Sequence, residues 1–425
     1  FLVDVASRGG DTVHYIDPLG GETYILNHPD SIRHFLQSHD FVRTTLIKIV
    51  LGEGMIASDG ETWKTRRHQA SPFFRRDVIS AFAPLINART STVLEKWAQH
   101  SERGEALDVS REMTQLALSV IVDGLFGVDL QSRMLGLGDA LDVLVNDLGE
   151  MVCSQLNTPL TFSASGQLRL QSALNTVNNF VTEIIKERRR KDGDPANFLS
   201  ALLSAQDEKT GQPLSECNLR DEVVSMMVAG HETTALVLSW AWHLLAEHPD
   251  VERRLHQELD DVLGDQMPTI ADLENLPYTL MILHETMRLY PPVWCMARKT
   301  TAAIEVNGCF LPENVIALVS PYTIHRHPEF WPNPDKFDPL RFAPDKKQTK
   351  YSYIPFGGGH HLCLGMNVAL MEGQLILASL AKNYIVRPLA ETPVRPHPAI
   401  TLRLQDGLQA TVSKRVITPA TKLAG

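Results

Sequence analysis

One stretch near the end of the chain combines many glycines with side chains that bind metals: Phe356-Gly357-Gly358-Gly359-His360-His361-Leu362-Cys363-Leu364-Gly365. An apolar run with the spacing of a helix follows it. Glycine permits backbone conformations and close approaches that larger residues forbid. The N–H groups at the start of a helix favour a thiolate over a thiol. Cys363 is therefore suited to act as a nucleophile or as an axial ligand to a metal, unless the stretch is only a turn around an inert cysteine.

Length and composition exclude several classes of protein. The chain has 425 residues, 44% of them hydrophobic, and can bury a large core. Its formal charge of -10 argues against binding to nucleic acid. No run of about 18 apolar residues is present, so we expect no membrane-spanning helix, and an anchor upstream of Phe1 stays open. The cysteines are odd in number and lack a CxxC pair, which fits a reducing compartment and argues against a disulfide framework or structural zinc site: Cys153, Cys217, Cys295, Cys309 and Cys363.

The spacing of apolar residues predicts a mainly α-helical chain with a small β region. We expect one domain over residues 1–425. Its longest helix is predicted to begin at Asn218 or Asp221 and to end near His248. The helical parts are predicted at about 60–290 and 364–381, and the β-rich parts at about 1–45, 300–320 and 385–416.

Some shorter elements are also predicted. Strand-like runs occupy Thr12–Ile16 and Glu22–Leu26. Residues 303–306 and 315–318 are predicted to pair as strands around a connection at 307–313. These strands lie in two of the three parts of the chain that are predicted to be β-rich.

A second motif lies in the middle of the predicted long helix: Ala229-Gly230-His231-Glu232-Thr233-Thr234. A glycine followed by an acid and two β-branched residues is unfavourable inside a helix. Thr233 can donate a hydrogen bond to the carbonyl of Ala229 and bend the helix. The result would be a groove with a hydroxyl and a carboxylate at its edge, suited to relaying protons, and a polar turn facing solvent is the alternative. We expect His231 to make a structural hydrogen bond and not to bind a metal.

Two further pairs of residues each lie on one helix face. Glu285 and Arg288 stand at i and i+3 in an apolar segment, so they form either a buried pair or an ordinary surface ion pair. A buried pair needs further partners, and Arg341 is a candidate. Trp63 and Arg67 stand one helical turn apart, where an indole N–H and a guanidinium suit a carboxylate or phosphate, and a solvated basic helix is the alternative.

Taken together, these motifs resemble those of the cytochrome P450 superfamily, the haem-thiolate monooxygenases. Within that superfamily the chain resembles a soluble bacterial member. The family's cysteine pattern, Phe-x-x-Gly-x-Arg-x-Cys-x-Gly, is matched except at arginine, where this chain has His361. The matching residues of that pattern are Phe356, Gly359, Cys363 and Gly365. Three other family patterns are matched by Ala229, Gly230, Glu232 and Thr233, by Glu285 and Arg288, and by Trp63 and Arg67.

The resemblance implies the P450 fold, a helical prism with a small β region that encloses haem b. Cys363 would be the axial thiolate on the haem iron. Thr233 and Glu232 would be catalytic, because they would deliver protons during oxygen activation. The remaining residues expected to bind the cofactor are Trp63, Arg67, Arg298, His361, Phe356, Ala229 and Gly230. A neutral His361 can donate one hydrogen bond, whereas an arginine at this position would carry a fixed positive charge and could donate two parallel hydrogen bonds.

The resemblance also implies an activity and its partners. The enzyme would insert one oxygen atom from O2 into a lipophilic small molecule, such as a fatty acid, a terpenoid or another secondary metabolite. Only about sixty residues follow Cys363, so the electrons are expected from a separate ferredoxin or flavodoxin-type donor with its reductase. A cytoplasmic monomer is expected. The donor would dock on a basic patch of Lys64, Arg66, Arg75, Arg76, Lys346, Lys347 and Lys350.

The substrate pocket is expected to draw on five mostly apolar parts of the chain, residues 46–56, 151–162, 226–227, 293–296 and 400–402. Two other functions remain open. One is a haem-thiolate protein that is a peroxygenase, an isomerase or a sensor, although Glu232 and Thr233 favour oxygen activation. The other is a haem-free cysteine hydrolase, for which no His-Asp partner has a suitable spacing.

Overall fold

The computed structural model describes residues 2–16, 20–44, 48–129, 136–155, 164–190, 197–206, 211–390 and 393–416. The helices of these stretches are α1 Leu2–Gly9, α2 Pro29–Gln37, α3 Lys48–Leu51, α4 Gly60–Ala70, α5 Arg76–Ser80, α6 Ala83–Arg103, α7 Val109–Phe126, α8 Leu137–Gln155, α9 Ala164–Arg190, α10 Phe198–Ser204, α11 Glu216–Glu247, α12 Pro249–Leu263, α13 Pro277–Leu289, α14 Pro321–Ile324 and α15 Met366–Asn383. The predicted mainly α fold is confirmed.

The strands of the same stretches are β1 Thr12–Ile16, β2 Glu22–Leu26, β3 Phe41–Arg43, β4 Leu107–Asp108, β5 Met296–Thr300, β6 Ile304–Val306, β7 Cys309–Leu311, β8 Ile316–Val319, β9 Tyr384–Pro388, β10 Pro396–Pro398, β11 Leu402–Leu404 and β12 Gln409–Lys414. The largest sheet has the strand order β1-β2-β8-β5-β3, in which only β2 and β8 are parallel. Smaller sheets are formed by β4-β12-β9, β10-β11 and β6-β7. Apart from the two-residue β4, the strands fall within or beside the three predicted β-rich parts of the chain.

The predicted pairing of residues 303–306 with 315–318 is wrong. β6 pairs with β7 instead, through a two-residue turn of Asn307 and Gly308, both with positive φ. Asn-Gly is the strongest short hairpin signal, because both residues tolerate the left-handed conformation that the turn requires. β8 is thereby free to pair with β2 and β5. The amino-terminal region also differs from its predicted β-rich character, since α1 precedes its first strand.

α11 passes through the middle of the hydrophobic core. It begins two residues before the first predicted start, because the Ser215 side chain caps it by accepting from the N–H of Asn218. α7 packs along it so closely that a Cβ on Gly230 would lie 2.6 Å from Cδ1 of Ile121. Trp240, further along α11, is among the largest fully buried side chains. A second hydrophobic cluster lies between the main sheet and α2.

Glu285 and Arg288 form a fully buried pair. This is the first of the two predicted alternatives, and the surface ion pair is excluded. Nε and Nη2 of Arg288 donate to the two carboxylate oxygens of Glu285 at 2.7 and 2.9 Å. Arg341 is the third member, with its Nε 3.4 Å from Oε1 of Glu285. Arg288 also donates to the carbonyl oxygens of His325, Pro334 and Lys336, so that α13 is tied to the loops before the cysteine stretch. None of the helices in the described ranges is both long and apolar enough to cross a membrane.

Candidate active site

The cysteine loop, residues 356–365, is shaped by glycine and by its own backbone. Gly359 has a φ of +62°, and a Cβ there would lie 2.1 Å from the carbonyl oxygen of Leu36 in α2. The N–H of Cys363 donates to the carbonyl oxygen of Phe356 at 3.0 Å. The loop therefore packs against α2, closes on itself and presents Cys363 immediately before α15.

The surroundings of Cys363 favour a metal ligand over a nucleophile. Its side chain keeps exposed surface, yet protein surrounds it closely enough that burial raises the pKa of its thiol. The backbone amides of Gly365 and Met366 and the positive charge of Arg67 oppose that rise. The expected preference for a thiolate is thus outweighed in the free protein. A nucleophilic cysteine needs a lowered pKa, whereas a metal ion deprotonates a thiol that coordinates it.

α4 brings Trp63 and Arg67 to the cysteine loop. Nη1 of Arg67 donates to the carbonyl oxygen of Leu362 at 2.8 Å. The guanidinium carbon of Arg67 lies 5.8 Å from the centroid of the Trp63 ring, which is within the range of a cation–π contact. Burial lowers the pKa of Arg67, and the nearby Cys363 opposes this. The predicted shared face of Trp63 and Arg67 is therefore directed at the cysteine loop.

His361 lies among Arg43, Asp59 and Trp63. Nη2 of Arg43 is 2.9 Å from Nδ1 of His361, and a guanidinium can only donate, so the ring hydrogen belongs on Nε2. That Nε2 lies 3.7 Å from Oδ1 of Asp59, and the His361 and Trp63 rings are 4.1 Å apart between centroids. Burial, Arg43 and other positive neighbours lower the pKa of His361 to about 3, so its imidazole is neutral. Arg43 thus places a guanidinium behind the neutral histidine that occupies the family's arginine position.

Arg298 completes a cationic cluster in which Arg43 was not predicted from the sequence. It lies on β5 directly opposite Arg43 on β3, and its Nη1 donates to the carbonyl oxygen of Phe35 at 2.5 Å. Burial and the charge of Arg43 lower the pKa of Arg298 to about 10, while Asp59 opposes them. Among the described residues of this cluster, Asp59 is the carboxylate near Arg43 and Arg298, and Arg67 adds a third guanidinium near Arg43. This excess of positive charge beside Cys363 fits a ligand that brings carboxylates, as the two propionates of haem do.

The helix motif forms a second group of site residues, on α11. Oγ1 of Thr233 donates to the carbonyl oxygen of Ala229 at 2.8 Å, as predicted. Nδ1 of His231 lies 2.7 Å from the carbonyl oxygen of Met227, which confirms its predicted structural hydrogen bond. Burial lowers the pKa of His231. Gly230 is explained by the close approach of Ile121 on α7, since a side chain at this position would collide with it.

Glu232 is buried and is held by the carboxyl-terminal hairpin. Oγ1 of Thr401 and Nε of Arg403 both donate to its Oε1 at 2.6 Å. Arg403 also donates to Asp142 Oδ1 at 2.8 Å and to Asn146 Oδ1 at 3.0 Å, both on α8. Glu232 is therefore part of a network that joins α8, α11 and β11. Arg403 was not predicted, and Thr401 was predicted only within the pocket segment 400–402, because neither stands near Glu232 in the chain.

A further buried acid, Glu372, was also missed. It lies on α15, and the hydroxyl of Thr234, next to Thr233 on α11, hydrogen-bonds its side chain. Burial raises the pKa of Glu372 to about 8, and the hydrogen bond from Thr234 opposes the rise. Glu372 is thus a protonated acid at neutral pH between the helix that carries Thr233 and the helix that follows Cys363.

The predicted pocket segments and docking patch are described only in part. Residues 45–47 and 156–163 lie outside the described residues, and the side chains of 151–155 do as well. Met227 is wholly buried, and Val293 is 37% exposed. In the predicted basic patch, Arg66 is buried against Glu222 and cannot meet a partner, while several others already pair with acids. The patch is therefore weaker than the sequence suggested.

Comparison with known proteins decides the family. The family model for Cytochrome P450 matches residues 4–410. The chain belongs to the cytochrome P450 family. Cyclooctatin synthase from Streptomyces melanosporofaciens is 33% identical over 388 residues, which cover 89% of this chain and 84% of that protein.

Two other similar proteins carry names that describe a reaction. Cyclooctat-9-en-7-ol 5-monooxygenase from the same organism is 33% identical, with 92% of this chain and 86% of that protein covered. Leukotriene-B4 omega-hydroxylase 3 from Mus musculus is 29% identical, with 90% and 79% covered. The fold is that of a solved cytochrome P450DA haem domain, with a TM-score of 0.87, 23% identity and coverage of 98% of this chain and 92% of that one. This P450 is accordingly a haem-dependent monooxygenase.

Proposed function

We propose that this P450 binds haem b with Cys363 as the axial ligand. The observation that carries this proposal is the convergence of Arg43, Arg67, Arg298 and neutral His361 around the cysteine loop. Guanidinium and imidazole N–H groups suit the haem propionates, and Trp63 contributes its indole. Phe356 supports the loop through its carbonyl oxygen, while Ala229 and Gly230 lie on the helix that carries the proton-relay residues.

Haem, when bound, supplies a redox-active iron that activates O2. The proposed role of Thr233 and Glu232 is to hold and deliver the protons that this chemistry consumes. Thr233 donates to the carbonyl of Ala229, so its oxygen keeps lone pairs that can accept a hydrogen bond from a water or an acid. Glu232 is fixed by Thr401 and Arg403, so its position is set before any substrate binds. The Glu232 carboxyl group and the Thr233 hydroxyl group are thus both held in place on one turn of α11.

The proposed substrate is a lipophilic small molecule, such as a terpenoid, a fatty acid or a related secondary metabolite. The names of the similar monooxygenase and omega-hydroxylase support oxidation at carbon in molecules of this kind. We further propose that the enzyme is a cytoplasmic monomer of one domain. Its electrons would come from a separate ferredoxin or flavodoxin-type donor with its reductase.

A carbon monoxide difference spectrum of the reduced holoprotein tests the ligand. We expect the Soret band at the position typical of thiolate ligation, and we expect Cys363→Ser to abolish it. Cys309→Ser is the control, since Cys309 lies in the β6–β7 hairpin and should leave the spectrum unchanged. A wild-type band at the position of a neutral axial ligand would contradict the proposal.

The substrate class is tested separately, by the change in iron spin state when a substrate displaces water. A panel of terpenoid alcohols, fatty acids of graded length and polar sugars of similar mass would be titrated into the ferric enzyme. We expect saturable shifts from the lipophilic compounds only. A response to the sugars alone would overturn the assignment of a lipophilic substrate.

A further inference from the structure

The loop of residues 52–57 is docked onto α11 through its backbone. The N–H of Glu53 donates to Oδ2 of Asp221, and the N–H of Met55 donates to Oε1 of Glu222, both at 2.9 Å. Two neighbouring acids of α11 therefore bind two alternate amides of the loop. Hydrogen bonds from amides to carboxylates are stronger than those between neutral groups. We call Asp221 and Glu222 the loop anchor.

Two glycines make this close contact feasible. A Cβ on Gly52, whose φ is +56°, would lie 2.1 to 2.3 Å from the carboxyl atoms of Asp221. A Cβ on Gly54 would lie 2.1 Å from Oγ of Ser225 and 2.7 Å from the carbonyl oxygen of Asp221. Backbone and buried side-chain atoms at such distances leave no room for a methyl group. The Gly-Glu-Gly sequence therefore fits the surface of α11 at these positions.

Glu222 is also paired with Arg66 of α4. Both side chains are buried, and Nη1 of Arg66 donates to the same Oε1 that binds the Met55 amide. Burial raises the pKa of Glu222, whereas Arg66 and the Met55 amide lower it. The next residue, Arg67, reaches the cysteine loop at Leu362. α4 thus braces the loop anchor with one arginine and the cysteine loop with the other.

The other end of the 52–57 loop leads to the cationic cluster. Asp59, two residues beyond it, accepts from the backbone N–H of Arg43 at 2.8 Å and lies beside His361. The loop consequently spans the distance between α11 and the cysteine loop. Met55 and Ala57 are buried in the core, while Ile56 between them keeps part of its surface exposed. Both ends of the segment are therefore fixed, and Ile56 is the large apolar side chain that it leaves accessible.

We propose that Asp221 and Glu222 are positioning residues that hold the 52–57 loop as a fixed wall of the substrate pocket and so determine the size of molecule that reaches the haem. This inference rests on the proposed function, because it takes residues 46–56 to line the substrate pocket that was expected from the sequence. The anchor acts through the loop and touches no reacting atom. Its loss should therefore change substrate fit more than the chemical step.

Two independent changes release the loop. Gly54→Ala inserts a methyl group between the loop and α11 and leaves both anchoring carboxylates intact. The double variant Arg66→Met/Glu222→Leu removes the acceptor of the Met55 amide without stranding a buried charge. Glu222→Gln is the conservative variant, since its amide oxygen can still accept from Met55. The matched controls are Gly138→Ala, where a Cβ meets nothing within 4 Å, and Arg387→Met/Glu252→Leu, which removes a remote pair of a buried acid and an exposed arginine.

The first measurement is hydrogen exchange at the amides of Glu53 and Met55. We expect Gly54→Ala to speed exchange at both by about tenfold or more, and the double variant to do so at Met55, because a hydrogen bond to a charged group is lost. Glu222→Gln should retain most of the protection, and the two controls should retain all of it. Unchanged protection in the two releasing variants would overturn the anchor. This result does not depend on haem chemistry.

The second measurement compares two azoles that bind ferric haem, imidazole and the bulkier 4-phenylimidazole, by their difference spectra. We expect the ratio of their dissociation constants to change by about tenfold in the releasing variants, corresponding to about 1.4 kcal/mol. The controls should leave the ratio unchanged. Altered exchange with an unaltered ratio would overturn the role of the anchor in the pocket. Absence of any azole spectrum in the wild type would instead contradict the proposed function.

Discussion

Glu372 shows how a single buried group can set the pH dependence of stability. Its folded-state pKa of about 8 lies above the ordinary value of 4.5, because burial disfavours the carboxylate. Between these two pH values the folded protein keeps a proton that the unfolded chain has released. The contribution of Glu372 to the free energy of unfolding is therefore fully present below about pH 4.5 and is lost as the pH rises through about 8.

We expect Glu372→Gln to remove this dependence while keeping a partner for Thr234. Between pH 5 and pH 8, the free energy of unfolding of the wild type should fall relative to the variant by about 1.4 kcal/mol per pH unit. Urea unfolding of both proteins at a series of pH values measures the difference. Parallel curves for the two proteins would show that Glu372 ionises normally in the folded state.

Arg403 links elements that are far apart in the chain. Its guanidinium joins Glu232 on α11 to Asp142 and Asn146 on α8, while Arg403 itself lies on β11. Gly149, also on α8, packs against the same hairpin, where its Cβ would lie 2.6 Å from Cβ of Ala399. The hairpin therefore fixes α8 relative to the acid of α11.

Removal of Arg403 should leave Glu232 as a buried carboxylate with too few partners. We expect Arg403→Met to destabilise the protein by about 3 to 5 kcal/mol, and the double variant Arg403→Met/Glu232→Gln to recover much of that loss. Thermal or urea unfolding provides the double-mutant cycle. The exposed pair of Arg111 and Asp139, which also joins two helices, should show a coupling below about 1 kcal/mol. Additive effects of the Arg403 and Glu232 changes would refute the network.

At the scale of the whole molecule, buried histidines behind the cysteine loop limit stability in acid. Burial lowers the pKa of His284 to about 4, and burial with two arginines lowers that of His325 to about 3. The unfolded chain binds a proton at each near pH 6.5, before the folded protein does. The two histidines therefore contribute fully to the free energy of unfolding above about pH 6.5, and this contribution is lost as the pH falls through about 4.

We expect His284→Gln to flatten the acid side of the stability profile by about 1.4 kcal/mol per pH unit between pH 6 and pH 4.5. His68→Gln is the control, because His68 is exposed on α4. Urea midpoints at matched pH values provide the measurement. An equal change of slope in both variants would exclude burial as the cause.

Local patterns in the sequence predicted most of the fold and part of the site. Trp63 with Arg67, and Glu285 with Arg288, share helix faces because their spacing alone fixes this. Arg43 is 318 positions from His361, and Arg403 is 171 positions from Glu232. Such contacts depend on the register of strands and on the packing of whole elements, which no local pattern encodes. The loop anchor was not predicted for the same reason.

The cationic cluster beside Cys363 has a consequence for how the enzyme is made. The charge of Arg43 is repelled by those of Arg67 and Arg298, and among the described residues of the cluster Asp59 is the carboxylate that offsets Arg43 and Arg298. In the proposed haem site, the carboxylates of haem would neutralise like charges that the newly synthesised polypeptide otherwise holds together. We therefore expect the amount of folded enzyme in a cell to follow the supply of haem, and to fall when haem precursors are withheld.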